Sequence, residues 1–219
     1  MNWNDRITQS LDSASASLCN SDGRSRPSSV SVIIPTLNPG YQIRHLLSAL
    51  KVQSIPPQEI IVVDSGSTDG TIDGIEECGV RLLQISPQEF HHASVRNLAA
   101  SAAMGDVLVF MTQDAIPTDS HLIARLMVAL RPGTAASFAR HVPKPSASPL
   151  EKYARHANYP PNQPESAMKA SQRTSIRSVF FSNTCSAIRR DVFKELGGFP
   201  THTIMNEDML FAARLRRAG

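Results

Sequence analysis

The sequence predicts an α/β fold, a single domain whose mostly parallel central sheet is flanked by helices. Three observations predict it. Short β-branched runs recur from Val30 onward, each is followed by a stretch with helical spacing, and each run ends on polar residues. Alternating units of this kind pair as parallel strands with helices on both faces, and ligands then sit beyond the carboxyl ends of the strands.

The elements follow in order. SVSVIIP is a short apolar run closed by proline, which reads as a buried strand. Residues 42–53 carry Ile43, Leu46, Leu47 and Leu50 at helical spacing. Residues 59–63 form a second strand ending at Asp64. A helix follows within STDGTIDGIEEC, with Ser67 as its expected N-cap. VRLLQIS is a third strand, and residues 92–104 an Ala-rich helix. DVLVFM is a fourth strand, and residues 119–130 a helix capped by Thr118 or Asp119.

Beyond Arg140 the character changes. Residues 141–175 are rich in Pro and Ser with no sustained period, which reads as a long functional loop. Residues 178–188 read as strand and turn, and 191–196 as a short helix broken by Gly197-Gly198. Asn206-Glu207-Asp208 opens a last helix that Gly219 would stop. Residues 1–28, rich in Ser, Asn and Asp, read as a disordered polar leader ahead of a domain over 29–219. That domain divides into a ligand-binding half, 29–140, and a second half, 141–219.

Composition narrows the function classes. A chain of 219 residues with net charge +3 is only mildly basic, and its Lys and Arg are dispersed, which argues against a nucleic-acid partner. The balance leaves room for weak attraction to anionic substrates or an anionic membrane surface. Cys19, Cys78 and Cys185 are odd in number and widely spaced, which suits a reducing cytoplasm and indicates neither a zinc site nor a disulfide framework. No apolar run approaches the ~20 residues of a membrane span. There is no Walker loop and no GxGxxG after a strand.

The candidate chemistry lies at the strand ends: Pro35-Thr36-Leu37-Asn38, Asp64-Ser65-Gly66-Ser67 with Asp69 beyond it, and Thr112-Gln113-Asp114-Ala115. A carboxylate such as Asp114 in that position suits a hard cation that in turn holds a diphosphate, although a solvated loop acid is the ordinary alternative. Glu207-Asp208 is either a functional acid pair or an acidic first turn favoured by the helix dipole. His91-His92 lacks Cys or acidic partners at ligand spacing and reads as structural. Arg96, on its Ala-rich helix, suits a phosphate or a nearby carboxylate equally.

Read singly, each signal is weak; their order is specific. The series PTLN, DSGSTDGT, FHHASVRN, TQDA, FFSNTCSAIRRDVFKELGGF and NED resembles the inverting glycosyltransferase family 2, with its GT-A nucleotide-binding fold, from about Ser29 to Gly219. FHHASVRN, TQDAIP, ARHANYP and SNTCSAIRRDVF look like its rhamnosyltransferase branch.

The resemblance implies transfer of a sugar from a nucleoside diphosphate donor, dTDP- or UDP-linked, to a hydroxyl of a saccharide or lipid-linked acceptor in surface polysaccharide synthesis. L-Rhamnose from dTDP-L-rhamnose is the branch-level expectation. Thr36 and Asp64 would contact base and ribose, with Asn38, Ser65, Ser67, Asp69 and Gln113 around them. Arg96 would lie near the phosphates, Asp114 would ligate Mg²⁺ or Mn²⁺, and Asp208, beside Glu207, would be the general base. The DxD-like motif reads Gln-Asp-Ala, so Asp114 would be a lone carboxylate leaning on diphosphate and water. The implied location is the cytoplasm, with peripheral attachment to the inner membrane as an option. Family members continue past the Glu-Asp helix, so an incomplete acceptor half, and with it a truncated non-catalytic nucleotide-sugar-binding module, is the alternative expectation. A nucleotidyltransferase would carry a Gly-rich basic loop where PTLNPG stands.

Overall fold

In the computed structural model, which describes residues 29–159 and 179–218, six strands form one sheet in the order β3-β2-β1-β4-β6-β5. The strands are β1 (Val30–Thr36), β2 (Glu59–Asp64), β3 (Arg81–Gln84), β4 (Val107–Met111), β5 (Ala136–Phe138) and β6 (Cys185–Arg189). β1 runs parallel to β2 and β4, and β2 parallel to β3, as the repeated β–α units require. β6 then pairs antiparallel with β4, and β5 antiparallel with β6. The start of β6 therefore lies at the same edge as the carboxyl end of β4, with Met111 opposite Cys185. That reversal brings a loop from late in the chain to the strand ends where ligands bind.

Seven α-helices surround the sheet among the described residues: α1 (Gln42–Lys51), α2 (Thr71–Glu77), α3 (His92–Ala102), α4 (Leu122–Ala129), α5 (Pro149–Asn158), α6 (Arg190–Glu195) and α7 (Glu207–Ala218). The core divides across the sheet by the strand period of two. On one face Val32 and Ile34 of β1 pack with Ile43, Leu46, Leu47 and Leu50 of α1 and with Ile123 and Leu126 of α4. On the other, Ile33 packs with Ala93, Val95 and Ala99 of α3, Phe193 of α6 and Phe211 of α7. Small residues on α3 let it approach the sheet closely. Phe110, Phe193, Phe199 and Phe211 stack there with ring centroids 4.9–5.4 Å apart. Such aromatic pairs contribute about 0.5–1.5 kcal/mol each beyond area burial. They seat α6 and α7 on the sheet and so fix where the Glu207-Asp208 turn lies.

Several expected boundaries move. Ser67 is not an N-cap: α2 starts later, after Gly70 in left-handed backbone. Ser67 instead faces Asp64, which had already drawn it back into the loop. Neither Thr118 nor Asp119 caps α4, whose N-cap is His121. Asp119 instead takes a bidentate ion pair from Arg125, at 3.0 and 2.9 Å. The expected loop over 141–175 contains α5, capped by the Ser148 hydroxyl, which accepts from Glu151 N–H at 3.2 Å, with Pro149 in the first turn. The leader over 1–28, the remainder of that loop beyond Tyr159 and the Gly219 stop lie outside the described residues. No helix among the described residues is long and apolar enough to cross a membrane.

Candidate active site

The loops after β1, β2 and β4 lock together into one platform. Asp64, fully buried, accepts hydrogen bonds from the backbone N–H of Gly66 and Ser67, both at 3.0 Å, and from the Ser67 hydroxyl. A short polar side chain closing its own turn is what Asp does best after a strand. Ser67 Oγ accepts in turn from Asn38 N–H at 2.8 Å, and Asn38 Oδ1 from Thr68 N–H at 2.9 Å. Ser65 donates through both N–H and hydroxyl to the Thr36 carbonyl, at 3.1 and 2.9 Å. Thr36 Oγ1 is buried and has no hydrogen-bond partner among the described residues. Asp69 accepts from the Thr71 N–H and hydroxyl, and Thr71 Oγ1 accepts from Gly40 N–H. Gln113 acts as a backbone mimic, accepting from Leu37 N–H at 2.8 Å and donating to Leu37 C=O at 3.1 Å. The β1 and β4 loops are thus joined by an amide that matches a peptide unit on both edges.

Asp114, next to this clamp, is exposed and makes no hydrogen bond or ion pair among the described residues. A free, hard-oxygen carboxylate on a rigid strand end fits one ligand of Mg²⁺ or Mn²⁺. No group of three His, Cys, Asp or Glu poised for a metal exists among the described residues. The donor set therefore matches a lone carboxylate, with the other positions left for substrate oxygens and water.

The second half of the site gathers on α7. Asp208 Oδ2 accepts from Asn183 N–H at 3.0 Å, and Oδ1 from Met209 N–H at 2.8 Å. Burial raises the Asp208 carboxyl above the usual range, reinforced by the neighbouring Glu207 charge and opposed by these hydrogen bonds and by Arg96. Glu207 is buried at 7% exposure and pairs with Arg96, Oε1 to Nη1, at 3.3 Å. Arg96 thus has a carboxylate partner within the fold.

The remaining polar groups of FHHASVRN bind the same late segment. His91 caps α3, accepting through Nδ1 from Ala93 and Ser94 N–H, so its Nε2–H donates to the Thr203 carbonyl at 2.8 Å. Asn97 holds both edges of Phe199, donating to its carbonyl and accepting from its N–H, each at 2.9 Å. His91 is therefore structural, as expected, and the motif is a latch between α3 and the residues leading to Asp208.

Asp208 faces an open cleft of about 400 Å³ lined also by His141, Arg155, Tyr159, Phe181 and Ser182. His141 stacks on Tyr159 with centroids 4.3 Å apart, and its Nδ1 accepts from Arg155 Nη1 at 2.9 Å. Burial and then the Arg155 charge push the His141 imidazole down to about 4, while Asp114 pulls the other way. His141 is thus neutral near pH 7 and lies within electrostatic reach of Asp114, on the same cleft as Asp208. Sequence reasoning gave no site role to His141, Arg155 or Tyr159, although the last two lie in the ARHANYP segment. The Ser148-Pro149 helix start was the signal that could have placed Arg155 on a helix.

Comparison with known proteins agrees with this layout. The family model for glycosyl transferase family 2 matches residues 31–197. The O-antigen chain rhamnosyltransferase RfbN of Salmonella typhimurium is 39% identical over 193 residues, covering 87% of this chain and 62% of that protein. Its counterpart WbaN of Salmonella anatum is 38% identical over 194 residues with the same coverage. The chain thus spans 62% of the length of these relatives. Among solved structures, the mannosyltransferase PcManGT of Pyrobaculum calidifontis, in complex with GDP-Man and Mn²⁺, superposes with TM-score 0.64 at 23% identity, covering 96% of this chain and 58% of that one. TarS of S. aureus gives TM-score 0.65 at 21% identity, with 86% and 55% coverage. These likenesses support the fold, which is of the expected GT-A type. With the family model spanning most of an α/β sheet whose strand-end loops carry the ordered motifs, this chain belongs to glycosyl transferase family 2.

Proposed function

We propose that the chain carries the donor platform and general base of an inverting glycosyltransferase, with dTDP-L-rhamnose as the favoured donor and a saccharide or lipid-linked hydroxyl as acceptor. The observation that carries this reading is Asp208, a carboxylate held by the Asn183 and Met209 N–H groups on an open cleft, with a proton affinity raised by burial. Similarity to enzymes named rhamnosyltransferases supports the sugar.

In this mechanism the Thr36, Asn38, Asp64, Ser65, Ser67 and Asp69 platform holds the nucleotide, and Gln113 keeps the Asp114 loop against it. Asp114 would hold Mg²⁺ or Mn²⁺, which when bound offsets the negative charge growing on the leaving diphosphate. Asp208 accepts the acceptor hydroxyl proton as that oxygen attacks the anomeric carbon from the face opposite the diphosphate. The new C–O bond forms as the bond to the diphosphate breaks, so the carbon inverts. Proton removal of this kind contributes about 10²–10⁴-fold. A carboxylate whose proton affinity lies nearer neutrality transfers a proton with better driving force, and burial gives Asp208 that property. Release of dTDP from dTDP-L-rhamnose in the presence of Mn²⁺ is the expected result. Absence of nucleoside diphosphate release from every dTDP- and UDP-sugar tried would remove the proposal.

A further inference from the structure

We infer that Arg96 serves the transfer step as a positioning residue for Asp208, acting through Glu207 and Asn183, and is not a ligand of the donor phosphates. The inference rests on the reading of Asp208 as base. Arg96 is only 4% exposed and is not among the residues lining the cleft, whereas Arg155 is. Its Nη1 serves Glu207 Oε1 at 3.3 Å and the His92 carbonyl at 2.8 Å, and its Nε is buried with no hydrogen-bond partner among the described residues. A guanidinium that bound a diphosphate would present its fork to open space.

The connections lead to Asp208 instead. Glu207 Oε1 also accepts from Asn183 Nδ2 at 3.3 Å. Asn183 is 3% exposed, and its Oδ1 accepts from Ser186 on β6 at 3.0 Å. Its backbone N–H is the donor that holds Asp208 Oδ2 at 3.0 Å. The route therefore runs from α3 through the first turn of α7 to the loop before β6, and back to the reacting carboxylate. A buried charge left without a counter-charge is strongly unfavourable, so Arg96 and Glu207 hold one another in place. This fixes the turn that carries Asp208. The charged and titratable groups facing Asp208 are Glu207 on α7, Arg96 on α3 and Tyr159 across the cleft, with His141, Glu151 and Arg155 on the same lining.

The test uses the full chain with Glu207→Gln, Arg96→Lys and Arg96→Met. Calorimetry with dTDP and Mn²⁺ reads donor-side binding, and dTDP release from dTDP-L-rhamnose across pH reads turnover. Carboxyl ¹³C titration of Asp208 reads its proton affinity independently of turnover. Glu207→Gln preserves shape and removes a charge that adds to burial in raising Asp208, leaving Arg96 to lower it. The Asp208 titration and the acid limb of kcat therefore move to lower pH. Arg96→Met lowers kcat by about 10²-fold, the size of effect expected when a reacting group shifts by an ångström, while dTDP binding stays within about threefold. Arg96→Lys recovers part of kcat because it keeps the charge without the fork. If Arg96→Met does not fold, Arg96→Lys and Glu207→Gln carry the test. Loss of dTDP affinity equal to the loss of kcat/KM would overturn the inference in favour of a phosphate ligand. An unmoved Asp208 titration in Glu207→Gln would overturn it as well. Failure of the base reading is separate: it shows as full activity in Asp208→Asn, whatever Arg96 does.

Discussion

Alanine at Gly198, set beside alanine at Gly197, tests how the α3 latch holds the segment before Asp208. Both glycines have left-handed backbone, at φ +74° for Gly197 and +73° for Gly198. A side chain there costs about 1–2 kcal/mol, and the narrower unfolded ensemble of alanine returns about 0.4–1 kcal/mol. A Cβ at Gly197 meets nothing within 4 Å, so Gly197→Ala loses about 0–1.6 kcal/mol. A Cβ at Gly198 lies 2.7 Å from Asn97 Oδ1, the atom that accepts from Phe199 N–H. Asn97 must move, and its two hydrogen bonds to Phe199 go with it, each worth about 0.5–1.5 kcal/mol net. Gly198→Ala should therefore cost about 1–4.6 kcal/mol in urea unfolding, about 1–3 kcal/mol more than Gly197→Ala, and also lower turnover. Equal losses in the two variants would refute the reasoning, because only the latch distinguishes them.

Other consequences can be measured directly. Asp114→Asn should abolish the gain in dTDP affinity that Mn²⁺ confers in calorimetry while leaving thermal stability unchanged, since Asp114 makes no hydrogen bond or ion pair among the described residues. His141, held down to about 4 in the folded chain against about 6.5 unfolded, binds fewer protons folded than unfolded between those values. Stability should fall as pH drops through that window, and His141→Gln should flatten the fall in urea midpoint between pH 7 and pH 4.5. Cys185 is buried, with its thiol pushed up to about 12, so iodoacetamide at pH 8 should leave it unmodified in the native chain and label the partly exposed Cys78.

What the sequence makes legible follows from the range of the interactions concerned. The strands that are buried on both sides, β1, β2 and β4, declare themselves as apolar runs, and α1 by four residues that are all buried in the structure. β5 and the antiparallel course of β6 are not legible, because their pairing with distant β4 leaves no local period. Proline and serine around α5 hid a helix that its cap chemistry announces. Within the site, the strand-end positions of Asp64, Gln113 and Asp114 were readable because topology alone places them together. Their partners were not: Gln113 clamps Leu37, and Arg96 pairs with Glu207, both through contacts of long sequence separation. His141 escaped notice because its character comes from Tyr159 and Arg155, which lie a helix away.

The most direct measurement is dTDP release from dTDP-L-rhamnose with Mn²⁺ by the wild type and by Asp208→Asn at matched dTDP affinity. The predicted result is turnover by the wild type and a loss of about 10²–10⁴-fold in the variant. Asparagine keeps one acceptor oxygen for the Asn183 and Met209 N–H groups, so the variant loses one hydrogen bond worth about 0.5–1.5 kcal/mol, against which relief of the buried charge acts. Turnover in Asp208→Asn equal to that of the wild type would contradict the account.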